Sequence, residues 1–92
     1  MSENITPVWN EGRQRFEVAL DGKLAVAEYR IEGGRMLFTH TEVPVENRGR
    51  GIAEKLVLVG FQHAREKGLQ IVPICSYVGA ILKRHPEYQA PE

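Results

Sequence analysis

Val43-Pro44-Val45-Glu46-Asn47-Arg48-Gly49-Arg50-Gly51-Ile52-Ala53 is the stretch on which the reading of this chain turns. A strand leads into a proline that stops sheet pairing, then a polar, glycine-bearing loop, then the start of a helix. Strand, loop and helix in that order expose several backbone N–H groups at a positive helix end, a ready anion site. Gly49 and Gly51 remove side chains that would block close approach. Arg48 and Arg50 add charge able to reach phosphate oxygens. The loop lacks the Lys-Ser/Thr ending of a nucleoside-triphosphate loop and the G-x-G-x-x-G spacing of a dinucleotide site. On spacing alone it also fits a plain strand-to-helix connection with two turn glycines.

Working outward, Arg35 to Val43 reads as a strand with Met36, Phe38 and His40 on one face and Leu37, Thr39 and Thr41 on the other. Upstream, Arg13 to Leu20 alternates, with Phe16, Val18 and Leu20 on one side. Asp21-Gly22 is a strong hairpin signal, Leu24 to Ile31 reads as the partner strand, and Gly33-Gly34 makes a second turn. Residues 1–8 read as a loose lead-in. Downstream, Ile52 to Lys67 reads as a helix with Ile52, Leu56, Val59, Gly60, His63 and Ala64 facing inward. Gly68 ends it. Leu69 to Ile74 is nearly all apolar, as a strand buried on both faces would be. Ser76 can cap a last helix reaching Arg84, and Pro86 forbids continuation. The order β-β-β-α-β-α predicts an α+β fold with a mixed, mostly antiparallel sheet and two helices. A right-handed crossover makes the third and fourth strands parallel neighbours.

The chain has 92 residues, the size of one domain, so 1–92 is expected to be a single unit. Lys+Arg and Asp+Glu are 12 each, a formal charge of zero. That argues against a phosphate-backbone binder and against a basic membrane-surface helix, so neither a nucleic-acid nor a membrane partner is expected. The one cysteine, Cys75, excludes an intrachain disulfide framework. The N-terminus has no basic start or apolar run, and the longest apolar run, Leu56 to Phe61, is far too short to span a membrane. The expected setting is a reducing cytoplasm. His40, His63 and His85 have no metal-site spacing, so no metal is expected. Trp9, Phe16 and Phe38 read as core. No surplus apolar face is evident, and the expected state is a monomer.

Arg48-Gly49-Arg50-Gly51-Ile52-Ala53 fits R-x-x-G-x-A and resembles the coenzyme A signature of the GNAT superfamily of N-acetyltransferases. Thr41-Glu42-Val43-Pro44, then Ile71 to Val78, then Arg84-His85-Pro86-Glu87-Tyr88 extend the likeness to the short, stand-alone YjdJ-type branch, from about Trp9 to Tyr88. The resemblance implies a minimal GNAT-like fold that moves an acetyl group from acetyl-CoA, as cosubstrate, to an amine. It implies that the pantetheine arm lies along the main chain of Val43 and Val45. It implies that the amides of Arg48, Gly49, Arg50, Gly51, Ile52 and Ala53 bind the pyrophosphate, and that the parallel strands splay between Val43 and Ile74, with Cys75 and the cofactor-binding Ser76 beside the gap. Larger members carry helices between their first two strands that help form the acceptor site, and the tight Asp21-Gly22 turn leaves no room for them. The expected acceptor site is therefore open and shallow. It suits a protein lysine or N-terminus as well as a small amine.

Three residues are candidates for the chemistry. Cys75 is the sole thiol, at a predicted helix start where the dipole favours a thiolate. It could carry the acetyl group as a thioester before passing it to the amine, or it could be an inert cysteine at a strand end. Glu42 could deprotonate an incoming ammonium, with His40 on the same face, or be a solvated strand residue. Tyr77, next to Cys75 in the chain, could protonate the departing CoA thiolate; it could equally be a packing residue with one wet edge, as could Tyr88. Lys83, Arg84 and His85 form a basic cluster able to reach the 3′-phosphate of CoA or simply to end a helix. Two further readings compete: a non-catalytic CoA or acyl-CoA-binding module, and an adaptor using the Arg-Gly loop.

Overall fold

A computed structural model of the chain describes residues 6–89. In chain order the elements are β1 (Val8–Asn10), β2 (Arg15–Leu20), β3 (Lys23–Glu32), β4 (Arg35–Glu42), α1 (Ile52–Glu66), β5 (Gln70–Pro73) and α2 (Ser76–Arg84). Single 3-10 turns lie at Glu11–Arg13, Val45–Asn47 and Pro86–Tyr88. The sheet order is β1-β2-β3-β4-β5, antiparallel through β4, with β4 and β5 parallel across the α1 crossover. This is the mixed α+β arrangement expected, with one strand more. That strand, β1, begins at Val8, the last residue of the expected lead-in, and its Trp9 pairs with Phe16 across the ladder. The first five residues of the lead-in lie outside those described.

Local chemistry explains the turns. Asp21 and Gly22 both have positive φ, the backbone of a type I′ hairpin turn, whose twist suits the flanking strands. At the end of α1, Gly68 N–H donates to Arg65 O and Leu69 N–H to Ala64 O, a Schellman closure of the last turn.

The core lies between one face of the sheet and the two helices. Phe16, Ala27, Phe38, Leu56, Val57, Phe61, Val78 and Ile81 are fully buried there. The inward stripe of α1 is broader than its spacing suggested, because Val57 and Phe61 are buried while Val59 and His63 are half-buried. His63 packs at a tilt against Trp9, ring centroids 4.1 Å apart, and Trp9 Nε1 donates to Tyr29 Oη at 2.6 Å. Gly60 sits directly on the Phe38 ring: an added Cβ would lie 2.6 Å from Phe38 Cε1.

Two expectations need correction. First, β4 does not keep one alternation. Glu28 pairs with His40 and Tyr29 with Phe38, so Thr39 is an extra, bulged residue. A bulge shifts the side-chain phase by one. Met36 and Phe38 point into the core, but beyond Thr39 it is Val43 that is buried and His40 that is exposed. Second, β5 is not buried on both faces. It is the sheet edge; Ile71 and Val72 are half-buried, Gln70 and Pro73 are exposed, and Ile74 just beyond is 58% exposed.

Candidate active site

The last residue pair between β4 and β5 is Phe38 with Pro73, and Cys75 N–H closes the ladder on Phe38 O at 2.9 Å. β4 then runs on to Glu42 while the other strand turns into α2. The two strands part here, earlier along β4 than Val43. The space they open is a cleft of about 700 Å³. Its walls are His40 to Val43 of β4, Asn47, Arg48 and Gly49 of the loop, Gly51, Ile52 and Ala53 at the start of α1, and Tyr77 of α2.

The loop and the start of α1 form the floor. Gly51 precedes α1 in the left-handed region, φ 75°, and supplies no capping side chain. The first amides of α1 therefore have neither an intrahelical acceptor nor a side-chain cap. Added Cβ atoms at Gly49 and Gly51 would meet no protein atom within 4 Å. The glycines are required by their positive φ, 82° and 75°, and they leave the approach to the amides clear. Arg48 Nε donates to Val43 O at 3.1 Å and fastens the loop to the end of β4.

The walls carry the polar chemistry. His40 Nε2 lies 3.2 Å from Glu42 Oε1 at the exposed rim. Tyr77 is partly exposed; burial first, and then the charge of Glu54, push its phenol pKa upward, so it holds its proton. Glu54 in turn binds His85 Nε2 at 3.1 Å and Arg84 at 3.8 Å. Two buried side-chain oxygens in the wall, Thr41 Oγ1 and Asn47 Oδ1, have no hydrogen-bond partner. A ligand with phosphates for the uncapped amides at the start of α1 fits the residues present, and coenzyme A is such a ligand.

The structure thus gathers Glu42, Val43, Arg48, Gly49, Gly51, Ile52, Ala53 and Tyr77 around one cleft. Val45 is 71% exposed, and neither it nor Arg50 lines the cleft. Cys75 forms the N-cap of α2, accepts from Gly79 N–H through its carbonyl at 3.1 Å and packs against the core, outside the cleft lining. Ser76 borders a separate hollow with Pro73 and Lys83. Tyr88 packs on Phe61 and under Arg65. Thr41 and Asn47 were not singled out from sequence. Asn47 stands in a polar loop, where an asparagine reads as a solvated turn residue, and only tertiary packing buries it. Among the described residues no three His, Cys, Asp or Glu side chains gather in a metal-binding arrangement, and no helix is long and apolar enough to cross a membrane.

A five-stranded mixed sheet whose parallel pair parts beside an uncapped, glycine-led helix start is the architecture that the loop motif's resemblance implied. A family profile for GCN5-related N-acetyl-transferases matches residues 15–90. The chain belongs to that family and is an acyltransferase. It is 36% identical over 77 residues to Protein NATD1 of Bos taurus, covering 80% of this chain and 68% of that one. Protein NATD1 of Xenopus tropicalis is 33% identical over 88 residues, 92% of this chain and 81% of the relative. The solution structure of a GCN5-like protein from Staphylococcus aureus superposes with a TM-score of 0.72 at 29% identity, over 95% of this chain and 86% of that one.

Proposed function

We propose that the cleft binds acetyl-CoA and that the protein transfers its acetyl group to an amine presented at the His40–Glu42 rim. The observation that carries this reading is the parting of β4 from β5 directly over the uncapped start of α1, with Tyr77 facing it. The amides of Gly49, Gly51, Ile52 and Ala53 hold the pyrophosphate by charge and hydrogen bonds. The arm lies along the end of β4. Acetyl-CoA supplies the activated acetyl thioester. In the transfer a C–N bond forms and the C–S bond breaks, with one proton leaving the nitrogen and one reaching the thiolate. Glu42, oriented by His40, accepts the first, directly or through water. Tyr77, kept protonated by burial and Glu54, donates the second. Direct attack by the amine draws support from the position of Cys75, which packs on the core outside the cleft lining. The short 3-10 turn between β1 and β2 and the tight turn between β2 and β3 leave the rim open, which favours a protein lysine or N-terminus as acceptor.

The same openness favours a second reading, a CoA-binding module that does not turn over. Release of free CoA thiol from acetyl-CoA, followed across small amines, peptide N-termini and lysine peptides, separates the two. Acceptor-dependent release that survives Cys75→Ala supports direct transfer. Loss of all transfer in Cys75→Ala, with acetyl trapped on the intact protein, establishes the thioester route. No release with any acceptor leaves the binding module.

A further inference from the structure

We infer that Glu54 is a positioning residue for the proton donor: gripped by His85 and Arg84, it locks α2 across the start of α1 and keeps the Tyr77 hydroxyl at the cleft. This rests on the acetyl-transfer reading above, in which Tyr77 protonates the thiolate. Glu54 is the third residue of α1 and follows the cleft-lining Ile52 and Ala53, but its own side chain does not line the cleft. It reaches α2 instead. His85 Nε2, at the C-cap of α2, donates to Glu54 Oε2 at 3.1 Å across 31 positions of sequence. Arg84, the last residue of α2, lies 3.8 Å from Glu54 Oε1. The other ring nitrogen of His85, Nδ1, lies 3.5 Å from Glu87 Oε2. The Glu54 and His85 side chains are 33% and 28% exposed, so water and salt screen the pair less than a fully exposed one. His85 is also pinned through its backbone: its N–H donates to Leu82 O at 3.2 Å, and its carbonyl accepts from Tyr88 N–H at 3.1 Å.

Tyr77 needs such a hold. Its hydroxyl makes no hydrogen bond to any described residue, so the pose of α2 sets where it stands. Two contacts fix that helix elsewhere. Cys75 N–H donates to Phe38 O at 2.9 Å at its start, and Val78 and Ile81 are fully buried on its inner side. Neither governs the side that carries Tyr77. Seven residues make about two helical turns, so Tyr77 and Arg84 lie along one side of α2. Glu54 meets that side: after burial, its charge is what raises the Tyr77 pKa, while Arg84 lowers it. Displacing a reacting group by about 1 Å, through a change far from the chemistry, can cost on the order of a hundredfold in rate.

Glu54→Ala should lower kcat for acetyl transfer about tenfold and leave the KM for acetyl-CoA little changed, because Glu54 does not line the cleft. In the Tyr77→Phe background it should cost nothing further, because the donor it positions is gone. His85→Ala should repeat the loss, and His85→Gln, whose amide N–H can still donate to Glu54, should recover most of it. A second readout needs no turnover. Phenolate absorbance, taken with and without Tyr77→Phe, isolates the ionisation of Tyr77. Glu54→Ala should move that ionisation to lower pH, with Arg84 on α2 and His40, Glu42 and Arg48 around the cleft left in place. The inference is overturned by a parent-like kcat in Glu54→Ala, by a loss that adds in full to that of Tyr77→Phe, or by a Tyr77 ionisation that does not move. If Tyr77→Phe loses rate and Glu54→Ala does not, the positioning role alone fails; if Tyr77→Phe keeps its rate, or the parent transfers nothing, the reading beneath it fails.

Discussion

At the scale of single residues, the sharpest test is Tyr77. Its side chain lines the cleft, and burial with the Glu54 charge raises its pKa above the ordinary 10.0. A proton donor held this way stays in its acid form through the neutral range and well into alkali. Tyr77→Phe should lower kcat for acetyl transfer about a hundredfold, with the KM for acetyl-CoA little changed, as expected for loss of a general acid. The alkaline side of the pH–rate profile should show the same loss: there the parent's rate should fall as pH passes the raised tyrosine pKa, and the variant should lack that limb. A Tyr77→Phe enzyme with unaltered kcat would assign the proton transfer elsewhere. The sequence named Tyr77 because it neighbours Cys75, yet the two side chains diverge. One lines the cleft; the other packs on the core at the α2 N-cap. Adjacency along the chain carries little information about shared space at a strand-to-helix junction, where successive side chains leave in different directions.

At the scale of elements, α1 is held against the sheet at Gly60, where the Phe38 and Phe16 rings occupy the place of a side chain. Gly60→Ala gains helix propensity but forces a methyl into the Phe38 ring; the clash should dominate. We expect a destabilisation of about 1–3 kcal/mol by urea titration, the usual range for overpacking. A more stable variant would mean that the rings yield easily. The strands and helices were largely legible, because alternation marks β2, the Asp21-Gly22 turn marks β3 as its partner, and a 3.6-residue stripe marks α1. Three features were not. β1 is only three residues long, too short for any period to register. The Thr39 bulge is a misfit between two strands, and one strand's pattern cannot reveal it. The apolar run of β5 read as doubly buried, although its place at the sheet edge is decided by which strand it joins and by nothing beyond it. The bulge matters most for function, since it turns His40 and Glu42 to the rim and Thr41 to the interior. The loop motif was legible from its glycines; its buried Asn47 was not.

At the scale of the whole molecule, charge and ligand both act on stability. Arg15, hydrogen-bonded to Glu17, holds the Glu17 carboxyl below its ordinary 4.5 despite partial burial. A lowered folded-state pKa stabilises the protein above the unfolded value, and that contribution is lost as pH falls through the folded one. The stability difference between the parent and Glu17→Gln should therefore be largest at neutral pH and shrink on acidification toward pH about 3, which urea midpoints at the two pH values would check. Equal differences at both would show that the pair contributes nothing through ionisation. A ligand confined to the native state stabilises by mass action, about 2.7 kcal/mol at a hundredfold excess over Kd. For a domain of this size CoA at that excess should raise Tm by roughly 10 °C or more, and an unmoved Tm would contradict specific binding. The most direct measurement is calorimetric titration of acetyl-CoA into the parent protein and into Gly51→Glu, whose side chain would stand in the open space above the α1 amides with a repelling charge. The account predicts saturable binding by the parent that is lost in the variant; no binding by the parent, or undiminished binding by Gly51→Glu, would contradict it.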